Sequence, residues 1–303
     1  MKAKSIIFIL LLTTISVFAQ QDSQFTSYMY NTININSAYA GNREVLSVFG
    51  LHRTQWVGME GAPVTNAFSL NTPIENTNLG VGLSFINDKI GASDENTISA
   101  DVSYGIQTGE NYRLSFGLKA SANILNVDYT KLSIYDNSDT KFQNIDSNFS
   151  PNLGAGVYFN SDKMYLGFSV PNLFNSRHFD DNISTTVNQK LHYYFIGGYV
   201  FDLGPNVKFK PAFLSKAVQG APLQLDVSGN FLFNEKFTLG AAWRWNAAAS
   251  VLAGFQVTKG LLIGYSYDMD TSQLVHYNSG SHEIFLRFDF LGKQDKILSP
   301  RFF

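Results

Sequence analysis

The sequence predicts an all-β protein: a closed antiparallel transmembrane β-barrel of the outer-membrane type, with about 14 strands. Three observations lead there. The composition is short of charge yet holds no long apolar run, the N-terminus carries an export signature, and most of the remaining chain alternates with period two.

The 303 residues are 45% apolar, 15% aromatic and 15% charged, with no cysteine. Soluble domains carry roughly 25% charge, while a mean hydropathy of -0.05 is too low for a helical membrane protein. Lack of cysteine excludes a disulfide framework, a thiolate zinc site, a Cys nucleophile and a lipid anchor attached through Cys. A formal net charge of -2 leaves no footprint for nucleic acid.

At the N-terminus, Lys2 and Lys4 precede an apolar run from Ile6 to Leu12 that continues to Phe18. Val17-Phe18-Ala19 then places small residues where a signal peptidase cuts, so residues 1–19 read as a cleaved signal peptide. The run is shorter than the roughly 20 apolar residues of a membrane-spanning helix, which argues against a retained anchor. Removal of two lysines leaves 20 basic (22 − 2) against 24 acidic residues in the mature chain. The expected division is a signal at 1–19, a leading segment at 20–42, a barrel at 43–291 and a tail at 292–303.

Alternation identifies the strands. In Arg113 to Ile124 the positions Leu114, Phe116, Leu118, Ala120, Ala122 and Ile124 are apolar, while Arg113, Ser115, Lys119, Ser121 and Asn123 interleave with them. Leu223, Leu225, Val227, Phe231 and Phe233 oppose Gln224, Asp226, Ser228 and Asn230 in the same way. Strands are expected to begin near Arg43, Pro63, Asn78, Thr97, Tyr112, Pro151, Met164, Lys190, Val207, Pro222, Phe237, Ala248, Gly260 and His282. An even count lets a barrel close with both ends on one side. Tyr165, Tyr193, Trp243, Trp245, Tyr265 and Tyr267 are expected in interfacial girdles, with Gly154, Gly156, Gly264 and Ser266 facing the lumen. A soluble sandwich also alternates, but so many long strands would leave edges to protect. The polar gaps Ser133 to Ser150 and Asn172 to Gln189 read as loops, and the leading segment either packs inside the barrel or reaches a partner.

Chemistry has little foothold. His52, His178, His192, His276 and His282 stand singly, outside any metal-ligand spacing. There is no Gly-x-Ser-x-Gly elbow, HExxH or Walker loop, although a spatial Ser and His meeting as in a barrel lipase is not visible to sequence. Asp268 and Asp270 flank a strand end and are read as solvated acids before a calcium site. Arg113, Lys119, Asp226 and Arg244 fall on the lumen register, where they either select solutes or pair across a filled lumen. No catalytic, cofactor or metal residue is expected.

Several peptides carry a family resemblance. Gln24 is followed by Tyr28-Met29-Tyr30-Asn31 and by Asn36-Ser37-Ala38-Tyr39-Ala40-Gly41; then come Arg53-Thr54-Gln55-Trp56, Gly61-Ala62-Pro63 and Phe85-Ile86-Asn87-Asp88 with Gly91. Ser281-His282-Glu283-Ile284 opens the last strand, and the chain ends in Pro300-Arg301-Phe302-Phe303. Together these resemble the PorP/SprF family of outer-membrane proteins of the type IX secretion and gliding machinery of Bacteroidetes. Ser37 stands where the family commonly has Pro, and Ser299 where a Cys often precedes the terminal Pro-Arg-Phe-Phe.

The resemblance implies a non-enzymatic outer-membrane component without a cofactor, which docks or anchors an exported adhesin or a secretion subunit. Its partner-binding residues would be Tyr28, Tyr30, Asn36, Tyr39, Arg53, Gln55, Trp56, Arg301, Phe302 and Phe303. For Arg53, Gln55 and Trp56 the alternative is an early strand with a girdle Trp. The alternative function is a diffusion channel for small solutes, the default for an alternating barrel of this size.

Overall fold

The computed structural model describes residues 25–132, 144–174 and 191–291. The expected signal peptide, His178 and Arg301 to Phe303 lie outside the described residues. Fifteen strand segments form one continuous sheet: β1 (Leu46–Thr54), β2 (Val64–Pro73), β3 (Leu79–Ile90), β4 (Ser93–Gln107), β5 (Arg113–Val127), β6 (Ile145–Asn160), β7 (Met164–Val170), β8 (His192–Tyr199), β9 (Phe201–Gly204), β10 (Val207–Val218), β11 (Gln224–Phe233), β12 (Phe237–Arg244), β13 (Ala248–Gln256), β14 (Leu261–Asp270) and β15 (Ser281–Phe290). Each pairs antiparallel with its neighbours, and β1 pairs with β15 from Leu46↔Phe290 to Thr54↔His282, which closes the barrel. Since β8 and β9 both pair with β10, they are one stave broken at Val200, and fifteen segments make fourteen staves. Closure joins the first and last staves, as a bilayer that offers backbone groups no water requires.

The two ends of the barrel differ. One end carries the short connections 74–78, 108–112, 161–163, 205–206, 234–236 and 257–260. The opposite end mixes the short connections 91–92, 219–223 and 245–247 with the longer 55–63 and 271–280, and the strands also leave toward it after Val127 and Val170. Outer-membrane barrels place short turns in the periplasm and long loops outside, which orients the molecule.

Alternation is visible in burial. On β5, Phe116 and Leu118 are 46% and 64% exposed to the outside, whereas Ser115 and Lys119 on either side of the pair are buried toward the lumen. Leu225 lies on the outward register of β11 with Val227 and Phe231. Toward the loop end the outward face turns polar across four strands: His52 Nδ1 lies 2.8 Å from Asn66 Oδ1, and Asn87 Nδ2 donates to Asn96 Oδ1 at 3.0 Å and Asp94 Oδ1 at 2.7 Å. This ladder bounds the apolar band on the loop side.

The band yields a depth test. Arginine at Leu118, Leu225 or Ile263 is expected to cost about 2–4 kcal/mol near the bilayer centre. Ser121→Arg on the alternate register should be milder. Urea unfolding of the barrel in lipid vesicles measures both sets, and equal losses would show that the registers are misassigned.

Three expectations are corrected. Tyr165 faces inward at 5% exposure and stacks on Tyr158, so it belongs to the lumen and not to a girdle. β6 begins at Ile145, so the end of the supposed loop Ser133 to Ser150 is strand. The segment Asp146 to Ser150 hid this because it is polar at most positions, and alternation needs an apolar face to be read. Finally, the stave from His192 to Gly204 is two segments, since Val200 is buried off the ladder between them.

β6 also outlasts its neighbour: it pairs with β7 only from Ala155 to Asn160, and among the described residues no strand pairs with it ahead of Ala155 on that side. Pro151 lies within that stretch, a residue tolerated where no ladder hydrogen bond is required of its nitrogen.

Candidate functional site

The lumen is filled by the chain's own N-terminal segment. From Phe25 to Val45 nearly every residue is buried, including Tyr28, Tyr30, Ile33, Ala38, Tyr39 and Ala40. The segment folds as three short 3-10 turns, Tyr28–Tyr30, Thr32–Asn34 and Ser37–Tyr39. Each saves only one or two backbone bonds, so the remaining polar groups must be met by the wall. At the third turn Asn36 caps through its side-chain oxygen, which accepts from Ala38 N at 3.0 Å.

The wall meets these groups from the lumen register of many strands. Ser103 Oγ donates to Ala40 O at 2.7 Å, Ser169 Oγ to Ile35 O at 2.9 Å, and Lys119 Nζ to Ile33 O at 3.3 Å. In return Asn36 Nδ2 donates to Val157 O at 3.0 Å. The segment comes so close to β3, β5 and β6 that side chains are missing opposite it. A Cβ on Gly80 would lie 2.2 Å from Ala40 O, and one on Gly117 would lie 2.1 Å from Ala38 N.

Ionic latches hold both ends. Toward the loop end, Arg53 Nη1 lies 2.7 Å from Asp268 and 3.1 Å from Glu283. Those carboxylates also take the start of the segment: Thr26 Oγ1 donates to Asp268 Oδ1 at 2.7 Å, and Ser27 N to Glu283 Oε1 at 2.9 Å. Arg244 and Asp226 pair at 2.9 Å on neighbouring staves. Toward the short-turn end, Arg43 pairs with Asp289, its Nε donating at 3.0 Å. Gly41, at φ +70°, then turns the chain toward β1; a Cβ there would lie 2.8 Å from Gly80 Cα. The segment therefore runs the length of the lumen, from the loop-side ring of charges to the short-turn mouth.

Two apolar clusters pack around it. One joins Tyr28, Ile33 and Tyr39 to Tyr158, Tyr165, Ile196 and Leu214; the other joins Phe25 and Tyr30 to Phe49, Leu51, Leu252, Leu262 and Phe285. Tyr30 stacks on Phe285 with centroids 4.7 Å apart, and Lys210 Nζ lies 5.7 Å from the Tyr30 ring centroid. The lumen charges thus follow the pairing alternative: Lys119 meets Asp101 at 3.3 Å and Arg244 meets Asp226, while Arg113 Nη2 reaches Asn78 O at 3.5 Å.

Among the described residues, those expected to bind a partner fall in two places. Tyr28, Tyr30, Asn36 and Tyr39 are buried in the lumen, and Arg53 is 2% exposed in the loop-side latch. Gln55 and Trp56 are half-buried in the 55–63 loop, where Trp56 holds φ +45° and its N donates to Ser281 Oγ at 3.2 Å. That loop is tied to the 271–280 loop by Val57 N to Gly280 O at 2.9 Å and Ser279 N to Val57 O at 2.8 Å. The same rim exposes Tyr277 at 72%. After β5 at the same end, Asp128 is held below the usual carboxylate range, first by the hydrogen bond from Thr130 Oγ1. Sequence reasoning missed Asp268, Glu283 and Asp289 as latch residues, and the glycines as a seat.

Among the described residues no three His, Asp or Glu side chains gather at a metal-sized site. His282 Nδ1 instead meets Tyr265 Oη at 2.6 Å on the outer face.

Fold and lumen together define an outer-membrane β-barrel carrying an internal N-terminal plug. The chain belongs to the type IX secretion system membrane protein PorP/SprF family, whose sequence pattern matches residues 17–288. No curated protein sequence matches the chain significantly. Among solved structures, the TodX deltaS2S3 mutant monoaromatic hydrocarbon channel is similar with a TM-score of 0.50 and 8% identity, over 88% of this chain and 94% of that one. The Acinetobacter baumannii outer membrane protein Omp33 gives a TM-score of 0.49 at 8% identity, over 82% of this chain and 100% of that one.

Proposed function

We propose that this barrel is a non-enzymatic component of type IX secretion that docks or anchors an exported surface protein, such as an adhesin, or a secretion subunit. The observation that carries this reading is the occupied lumen. A diffusion channel needs a wet path, and here the path is taken by a segment hydrogen-bonded and ion-paired along its length. Function then falls to the surfaces outside the membrane, above all the tied loops 55–63 and 271–280 with Trp56 and Tyr277. Family membership supplies the secretion context. The division into signal, leading segment, barrel and tail fits export through a cleaved signal and insertion in the outer membrane.

Deleting the protein is expected to release a surface protein into the medium or stop its export, while uptake of small solutes stays normal. Surface proteomics and a solute-swelling assay read the two arms. Unchanged surface proteins with slowed solute uptake would instead establish the channel. A barrel with Trp56→Ala and Tyr277→Ala, inserted at normal levels, should lose at least part of the retained partner; full retention would move the docking face elsewhere.

A further inference from the structure

The lumen segment crosses the membrane once, and in one direction. Thr26 and Ser27 are bound at Asp268 and Glu283, near the loop-side ends of β14 and β15. Asn31 Oδ1 accepts from Ser69 Oγ at 2.7 Å, at the middle of β2, and Ile33 O is met by Lys119 at the middle of β5. Ala40 O is met by Ser103, nearer the short turns, and Arg43 reaches Asp289 beside the short-turn end of β15. Each contact lies further down than the one before. The segment therefore adds one crossing to an even number of staves, and the chain enters the barrel at the mouth opposite to the one where β15 ends at Phe290.

From this path we infer that the mature N-terminus is displayed on the cell surface, as a polar peptide that proteins outside the cell can grip, modify or cleave. Three observations converge on that side. The lumen below Thr26 is already taken by the segment itself, whose backbone touches the wall so closely that Gly80 and Gly117 have no room for a Cβ. Phe25 is the last apolar anchor, 8% exposed and packed with Phe49, Leu51 and Phe285. Ahead of it Gln20-Gln21-Asp22-Ser23-Gln24 has no apolar side chain to bury. Extended chain gains at most roughly 3.3–3.6 Å per residue, so with the signal removed after Ala19 these residues reach about 17 Å, short of the roughly 25 Å apolar band between the mouths. The handle of the lumen segment then lies outside, directly ahead of the latch at Asp268 and Glu283.

The chain has no cysteine of its own, so one introduced thiol reports its side of the membrane. Ser23→Cys is compared with Gln273→Cys in the 271–280 loop and with Asn206→Cys in the short turn 205–206, both at exposed positions. Each is treated with a membrane-impermeant maleimide in intact cells, after lysis in mild detergent, and after unfolding. Heat-modifiable mobility checks that each barrel is folded. In intact cells Ser23→Cys is expected to label as strongly as Gln273→Cys and at least tenfold above Asn206→Cys, which should label only after lysis. Labelling of Ser23→Cys only after lysis would place the terminus in the periplasm, and labelling only after unfolding would place it inside the lumen. Either result overturns the inference.

Discussion

Gly117→Val is expected to drive the N-terminal segment from its seat and turn a silent barrel into a conducting one. The new Cβ would lie 2.1 Å from Ala38 N and 2.4 Å from Ser37 C, which are backbone atoms that cannot rotate aside. The wall is held by ladders on both sides, so the segment is the softer of the two partners. Displacing it removes the Ser103 and Asn36 bonds and opens a lumen whose wall is lined with Ser, Asn and charged groups. Gly50→Val is the control, because nothing lies within 4 Å of a Cβ there. Single-barrel conductance in planar bilayers should be near zero for the unaltered protein and Gly50→Val, and large for Gly117→Val. Equal conductance in all three would mean that the segment is not the seal.

Arg53→Met should be the most destabilising single change in the loop-side latch. Arg53 is 2% exposed and faces two carboxylates, Asp268 and Glu283, that are themselves 3% and 0% exposed. Removing the cation leaves two buried acids without their counter-charge, a loss of about 3–5 kcal/mol for a broken buried pair. Replacing all three, as Arg53→Met with Asp268→Asn and Glu283→Gln, should restore much of it, since the uncompensated charge is then gone. The remaining deficit reports the bonds to Thr26 and Ser27. Unfolding in urea measures the series. A single-mutant loss below about 1 kcal/mol would mean that water reaches the latch, as it does for exposed pairs.

Much of the barrel was legible because lipid and lumen impose opposite demands on successive residues. Leu118 against Lys119, or Ile263 against Gly264, states the face of each residue outright. The plug was less so, yet it left a trace in the same alternation. Phe49, Leu51, Leu252, Phe285, Ile196 and Leu214 put apolar groups on the register that should be wet, and all of them touch or surround the segment. In β1 both faces carry apolar side chains, Leu46 and Val48 outward with Phe49 and Leu51 inward, which blurs the very period that identifies a strand. The latch was not legible for another reason. Arg53, Asp268 and Glu283 are separated by more than 200 residues at their widest, and only barrel closure brings them within bonding distance. The tied loops proposed for docking are the least legible, since loop contacts such as Trp56 with Ser281 follow from where strands end and not from any local pattern.

The joining of β1 to β15 bears on how the lumen can be filled. The segment that fills the lumen leads through Val45 directly into β1, the first stave, while β15 is the last made. A sheet that is still open can lay this segment against the lumen faces of β3, β5 and β6 sideways, with no need to draw a chain through a finished ring. Sealing β1 against β15 afterwards encloses it. On that route assembly and occlusion are a single act, and at no stage need the outer membrane contain a ring of this size standing open.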